Sequence, residues 1–208
     1  TQYDWKGNYS RAITPNGTPS PHIKFTPTEQ EMFDAVADKR LDEESTVILP
    51  EGTTARQTFG NGGRATMREI FGDEADKFSD AEFSDSIYYT LFPNFHPWGA
   101  FNRICYRFRP YEDRHDMSIM ECMYLEPYDE SKPKPPSAPI HWLTAEDDWA
   151  DAPELGNLAR VFNQDSFNLP KVQRGLKAMT KPGVTLANYQ ETKIRHVHML
   201  MNKWFQKP

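Results

Sequence analysis

The chain has 208 residues, of which 38% are apolar and 26% are charged, and its formal net charge is −6. Phe, Tyr and Trp make up 13% of the residues, enough large side chains for the core of one folded domain. The negative charge argues against general binding to nucleic-acid backbones, and no apolar run reaches the ~20 residues of a membrane helix. We therefore expect a folded, soluble protein with neither nucleic acid nor membrane as a partner.

The two cysteines, Cys105 and Cys122, are too few for a disulfide framework, and neither lies in a C-x-x-C motif. This excludes a zinc ribbon or a thioredoxin-type site and favours a reduced, cytoplasmic location. The first residues carry no signal-peptide pattern. Because the chain opens at Thr1 rather than Met, we expect it to be a piece of a longer protein.

The N-terminal third is predicted to begin irregularly and then to become helical. Residues 1–27 contain an Asn-Gly pair and three prolines, which predict a loop leading into a short extended piece from His22 to Phe25. Thr28 and the Glu three residues later have the spacing of a capping box, and apolar residues then recur at steps of three and four. This pattern predicts a helix over about 29–40.

A second helix is predicted over 53–71, with Thr53 as the candidate N-cap. Glycine has poor helix propensity, and Gly60, Gly62 and Gly63 interrupt the pattern. The helix is therefore expected to be regular only from Arg64 onward.

Three extended segments follow, over 86–93, 100–109 and 117–126. In the middle segment, Ile104, Tyr106 and Phe108 alternate with small or charged residues, which is the period of two of a half-buried strand. This predicts an antiparallel meander with one packed face. Five prolines within 127–139 then favour a polyproline-like crossover on the surface.

Helical periodicity returns in the last part of the chain. One helix is predicted over 153–179, broken near Pro170 because proline lacks the N–H that the helix needs. A last amphipathic helix is predicted over about 189–206. Helices, then a meander, then long helices describe an α+β domain whose helices cover one face of an antiparallel sheet.

Metal and nucleotide motifs are weak in this sequence. Of the six histidines, only His196 and His198 are close together, and on a helix they point about 200° apart. One partly buried and one exposed imidazole on an amphipathic helix is the favoured interpretation. The glycines of Gly60-Asn61-Gly62-Gly63 lack the preceding strand and following Lys of a phosphate loop, and no G-x-S-x-G motif occurs.

Asp165 has two interpretations. It stands beside Phe162 and Leu169 on the predicted helix, and a buried carboxylate is costly unless a cation or hydrogen bonds offset its charge. One interpretation is an N-cap at the helix break, accepting bonds from the backbone N–H groups of residues 167 and 168. The other is a metal ligand, and spacing alone favours the cap.

Six motifs lie in order between about residue 80 and the end of the chain: Tyr89 to Asn94, Tyr106 to Pro110, Leu155-Gly156, Val161 to Asp165, Asn168 to Leu176, and Ala187 to Glu191. In composition, order and spacing they resemble the catalytic domain of Rieske non-haem iron oxygenase large subunits, the aromatic-ring-hydroxylating dioxygenase alpha family. Their combination is more specific than any one motif.

The resemblance implies an α+β helix-grip (Bet v 1/START-like) fold, an antiparallel sheet wrapped on a long C-terminal helix. It also implies a mononuclear Fe(II) held by two His and one carboxylate, the facial triad that leaves positions open for O₂ chemistry. Asp165 matches the family's carboxylate ligand, which reverses the preference for the cap. Asn94, His96 and Phe162 are the residues expected to face the substrate.

The resemblance also implies partners and a reaction. Such an enzyme hydroxylates an apolar, aromatic substrate with O₂, in aromatic hydrocarbon catabolism. Its electrons come from NADH through a reductase and in some cases a ferredoxin, and pass through a [2Fe-2S] Rieske cluster. The full-length subunits form homotrimers.

The sequence departs from the family pattern in two places. Nothing in residues 1–80 matches the family's paired His ligands, where His22 is alone, and neither cysteine lies in a Rieske motif. We therefore expect residues 1–208 to be a partial catalytic domain that is inactive in isolation. The alternatives are a non-catalytic helix-grip binding protein for a hydrophobic small molecule and, more weakly, a purely structural subunit.

Overall fold

The computed structural model describes residues 1–99 and 101–206. By its internal contacts the chain divides into two compact units: Thr1–Asp129 with Tyr189–Pro208, and Glu130–Asn188. Ala100, Lys207 and Pro208 lie outside the described residues, so the first residue of the predicted segment 100–109 and the last two of the predicted domain 1–208 fall there.

A six-stranded antiparallel sheet dominates the first unit, and its strands are neighbours in chain order. The strands are β1 (Gln2–Lys6), β2 (Tyr9–Thr14), β3 (Ser86–Leu91), β4 (Phe95–Pro97), β5 (Ile104–Tyr111) and β6 (Arg114–Tyr124). The predicted meander is confirmed as β3 to β6, although the short strand β4 separates two of its predicted segments. With helices in the same unit, the predicted α+β class is confirmed as well.

The predicted loop over 1–27 is wrong, because β1 and β2 form a hairpin there. Its two-residue turn places Gly7 at a φ of +56°, which glycine adopts without strain. The later prolines carry the loop signal, but they follow the hairpin instead of lying within it. His22 to Phe25, predicted to be extended, is not a strand.

Alternation along the strands gives the sheet one face of aromatic and small side chains. Tyr3 of β1 lies opposite Ala12 of β2, which lies opposite Tyr88 of β3. His96 of β4 lies opposite Tyr106 of β5. Because side chains alternate along a strand, charged residues such as Arg107 point to the other face.

The C-terminal helix α5 (Thr192–Phe205) contacts β1 and β2. Its His196 is 3% exposed, stacks on Trp5 with ring centroids 4.9 Å apart, and places Nε2 3.0 Å from the Gly7 carbonyl oxygen. His198 is exposed, so the predicted division into one buried and one exposed imidazole is confirmed. We call the face of the sheet that carries Trp5, Tyr88 and His96 the α5 face.

Three further helices belong to the first unit: α1 (Glu29–Val36), α2 (Ala55–Phe71) and α3 (Asp80–Ser84). A capping box begins α1 at Thr28, as predicted, and another begins α2 at Thr54, one residue after the predicted cap. The predicted interruption of α2 is wrong, because the helix is continuous through its glycines. Added Cβ atoms would lie 2.7 Å from Asp80 Oδ1 at Gly60 and 2.8 Å from Phe83 Cδ1 at Gly63. These glycines allow α3 to approach α2 closely.

Gly63→Ala should destabilise the protein by about 1–3 kcal/mol, because the new methyl group also meets Phe83 Cβ at 2.9 Å, an atom that cannot move without the backbone. Gly62→Ala, where nothing lies within 4 Å, should instead stabilise the protein by about 0.5–1 kcal/mol through helix propensity. Urea unfolding of both variants measures the two effects. Stabilisation by both substitutions would show that α3 does not restrict α2.

The second unit contains the long helix α4 (Leu158–Ala178), preceded by two short 3-10 helices at Trp149–Asp151 and Pro153–Leu155. The predicted break near Pro170 is wrong, since α4 continues through that residue. A proline removes one hydrogen bond, to the carbonyl four residues earlier, and a helix of this length retains its other bonds. Residues 127–139, predicted to form a polyproline-like crossover instead of a strand, contain neither helix nor strand.

No helix in the described part of the chain is both long enough and apolar enough to span a membrane.

Candidate active site

Asn94 lies in the turn between β3 and β4, where it binds the main chain of β5. Its Nδ2 donates to the Phe108 carbonyl oxygen at 2.6 Å, and the Phe108 N–H donates to the Asn94 carbonyl oxygen at 3.1 Å. These two bonds hold the turn against β5 and so fix the position of the neighbouring His96. A substrate contact by Asn94 stays a prediction.

His96 is half-buried on the α5 face. Its Nδ1 lies 3.2 Å from Thr90 Oγ1, and its ring meets the Phe108 ring edge-on with centroids 5.4 Å apart. Burial lowers the pKa of His96, and the positive charge of Lys193 lowers it further. The imidazole is therefore mainly neutral at pH 7, when one ring nitrogen can donate and the other can accept.

Lys193, which the sequence analysis did not single out, lies on the α5 face beside Tyr88. It is the second residue of α5; its Nζ donates to the Tyr88 carbonyl oxygen at 3.3 Å and lies 3.9 Å above the Tyr88 ring. Burial lowers the pKa of Lys193 to about 8. No carboxylate pairs with this ammonium group among the residues that the structure describes.

Helical spacing could have indicated that Lys193 faces the sheet. The residue precedes His196 by three positions and Val197 by four, so it lies on the stripe that faces the sheet. A lysine at a stripe position is therefore the pattern to look for.

The Lys193→Met variant should be more stable than the wild type at pH 7, because the half-buried ammonium disfavours the folded state. The folded pKa of about 8 lies below the ordinary value of 10.5, so between these two pH values the unfolded chain binds more protons. Wild-type stability therefore rises with pH across this window, and the advantage of the variant disappears. Urea unfolding of both proteins and of Lys203→Met, an exposed lysine of the same helix, measures the difference. An advantage that is constant between pH 8 and 10.5 would contradict this account.

In the second unit, side chains before α4 hold its N-terminal half. Trp149 Nε1 donates to Ser166 Oγ at 2.7 Å, and the Trp149 backbone N–H donates to Asn163 Oδ1 at 3.0 Å. Asn163 Nδ2 in turn donates to Asp148 Oδ1 at 2.7 Å. Phe162 is 3% exposed, with its ring 5.0 Å from that of Trp149. These contacts fix the rotation of α4 about its axis next to Asp165.

Asp165 is exposed on α4, and its side chain makes no hydrogen bond or ion pair with any described residue. The N-cap interpretation is wrong, because the helix has no break at which Asp165 could cap it. At 100° per residue, Asp165 lies within an arc of about 80° that also holds four exposed apolar residues. We call these residues the α4 apolar stripe: Val161, Leu169, Val172 and Leu176.

The predicted site residues thus lie in two pairs, Asn94 with His96 in the first unit and Phe162 with Asp165 in the second. In the described part of the chain, no three His, Cys, Asp or Glu residues come together as a metal site. The chemistry of Asp165 fits one carboxylate ligand of an iron centre.

Comparison with known families decides the class of protein. Residues 15–207 match the family described as the catalytic domain of the ring-hydroxylating alpha subunit. The chain belongs to this family. Neither the curated proteins nor the solved structures contained a match.

Members of the ring-hydroxylating alpha-subunit family share several general properties. The family consists of oxygenases that generally use mononuclear iron. They generally work with a reductase and a ferredoxin, and they form oligomers. The match covers the meander, α4 and α5, so the resemblance seen in six motifs is confirmed over most of the chain.

Proposed function

We propose that this chain is the catalytic part of a ring-hydroxylating oxygenase that hydroxylates an apolar, aromatic substrate with O₂. The family match over residues 15–207 carries the proposal. Mononuclear Fe(II), when bound, supplies the activation of O₂. Asp165 provides one carboxylate ligand, and the imidazole ligands come from outside the described residues.

The surroundings of Asp165 support its role as a ligand. Asp165 is exposed, and its neighbours on the surface of α4 are the apolar residues of the α4 apolar stripe, which offer no ionic or hydrogen-bonding partner. Asp also has lower helix propensity than Ala, and no described residue gives this side chain a structural partner. A cation in the complete enzyme would supply that partner.

Electron supply and assembly follow the family pattern in this proposal. NADH reduces a reductase, which passes electrons, directly or through a ferredoxin, to a Rieske [2Fe-2S] cluster of the full-length subunit. The full-length subunits form a homotrimer. Asn94, His96 and Phe162 face the substrate in this proposal.

The test is transfer of oxygen from isotopically labelled O₂ to an aromatic product. The full-length alpha subunit that carries this domain would be assayed with its reductase, NADH and Fe(II), on toluene, naphthalene and benzoate. We expect label in the product only when iron is present. Retention of these compounds without any labelled product would favour the alternative, a binding protein for hydrophobic molecules.

A further inference from the structure

Two polar groups, Lys193 of helix α5 and His96 on the α5 face of the sheet, have hydrogen-bonding capacity that is not filled. The ammonium of Lys193 has one acceptor, the Tyr88 carbonyl oxygen, although it carries three N–H donors. His96 uses Nδ1 with Thr90, and no described residue bonds to its Nε2.

His96 Nε2 is not fully enclosed by the protein. Among the described residues, Ser10 Oγ is the one fully enclosed side-chain nitrogen or oxygen without a hydrogen bond. His96 Nε2 also has no hydrogen-bond partner among these residues, but it retains some exposed surface. The structure therefore has a donor ammonium and a partly exposed imidazole nitrogen on one face of one unit.

Lys193 and His96 contact neighbouring positions on the same face of β3. Lys193 Nζ lies 3.9 Å from the centre of the Tyr88 ring, and His96 Nδ1 lies 3.2 Å from Oγ1 of Thr90, two residues further along the strand. The charge of Lys193 also contributes to lowering the pKa of His96. The groups around them cannot neutralise Lys193. The pKa of the Tyr88 phenol is raised by burial and by Tyr3 of β1, so Tyr88 stays uncharged at pH 7. A half-buried cation without a counter-ion is the condition in which an anionic ligand gains most.

Aromatic rings surround this cation. Tyr88 lies beneath Nζ and beside Trp98, with ring centroids 5.2 Å apart, and Phe108 meets the His96 ring. An inorganic anion would use the charge alone, whereas an acid attached to an apolar ring would also contact these side chains.

We propose that Lys193 and His96 bind the carboxylate of an aromatic acid, with its ring against Tyr88, Trp98 and Phe108. Lys193 donates to the carboxylate oxygens, and His96 donates through Nε2 in the tautomer that carries its proton there. The proposal rests on the proposed function in one respect, since it names aromatic acids as the substrate class of that oxygenase. The binding itself needs neither iron nor electrons.

Benzoate and 1-naphthoate are suitable probes, and benzamide and 1-naphthamide are their neutral counterparts. Calorimetry at pH 7 on the 208-residue chain should give a Kd below about 1 mM for at least one of the acids and weaker binding of its amide. Lys193→Met should weaken binding of the acid by about tenfold or more, and Lys203→Met should leave it unchanged. Equal binding of acid and amide, or of wild type and Lys193→Met, would overturn the proposal. So would the absence of binding by both acids.

A second measurement needs no variant. With carbon-13 in the lysine side chains, NMR follows the titration of Lys193, which starts from a pKa of about 8. The bound acid should raise this pKa towards the ordinary value of 10.5, and the amide should leave it unchanged. An unchanged pKa in the presence of the acid would exclude direct contact. Because no turnover is involved, a failure here leaves the oxygenase proposal intact, and the labelled-oxygen assay can fail while the acid still binds.

Discussion

Replacing Asp165 by Ala should abolish iron binding and hydroxylation by the full-length subunit while leaving the fold intact. Even hydrogen-bond partners of metal ligands cost about 10–100-fold in metal affinity or activity when they are removed, so loss of a direct ligand should cost at least about 100-fold. Since Asp165 is exposed and has no structural partner among the described residues, its loss should not destabilise α4. The higher helix propensity of Ala should add about 0.5 kcal/mol to the stability.

Anaerobic titration with Fe(II), circular dichroism and thermal unfolding separate these effects. Gln164→Ala is the matched control, because Gln164 is the exposed neighbour of Asp165 on α4 and points about 100° away. A variant that binds iron as the wild type does would remove Asp165 from the metal site. A large loss of stability without loss of iron would instead give Asp165 a structural role.

Phe162→Ala should give the largest change in stability, about 3–5 kcal/mol, because its ring is buried against Trp149 and the substitution leaves a cavity. The chain has two units, so a single unfolding midpoint is not a reliable measure of this loss. Hydrogen exchange along α4 is the better measurement, and protection there should fall by about 100-fold or more.

Phe167→Ala provides the comparison, because Phe167 lies on the same helix and is 67% exposed. Its substitution should change the protection of α4 very little. If Phe162→Ala preserves protection but weakens retention of an aromatic compound, Phe162 contacts the substrate, as the sequence predicted. If protection is lost, the main role of Phe162 is to hold α4.

Local patterns predicted much of the fold. The period of two around Tyr106 correctly predicted a half-buried strand, and the capping box at Thr28 correctly predicted the start of a helix. These signals need only neighbouring residues. The glycines of α2 wrongly predicted an interruption of the helix. Their small size allows contact with α3, which is distant in sequence from Gly60, and neighbouring residues do not reveal such a contact. Pro170 misled because one missing bond does not end a long helix.

The candidate site was predicted less completely than the fold. Spacing and burial arguments favoured a cap at Asp165, and only the combination of six motifs indicated a ligand. Lys193 was missed because a charged residue is assigned to solvent by default, although its position in the repeat places it towards the sheet. The lowered pKa of Lys193 and its lack of a counter-ion result from tertiary packing, which cannot be read from the spacing of residues in the sequence.

The hydrogen bond from Tyr189 Oη to the Thr1 carbonyl oxygen, at 2.5 Å, and the contact of His196 with Gly7 join the two segments of the first unit. In topological terms the second unit is an insertion between β6 and α5. During synthesis the first hairpin leaves the ribosome long before α5. Trp5 and Tyr3 therefore lack the contacts of the C-terminal segment until the whole second unit has been translated. Closure entropy rises only slowly with loop length, so the inserted unit can vary in size at small thermodynamic cost. The consequence concerns folding: the sheet-bearing unit can be completed only after the second unit has been translated, and until then α5 cannot cover the aromatic face of the first hairpin.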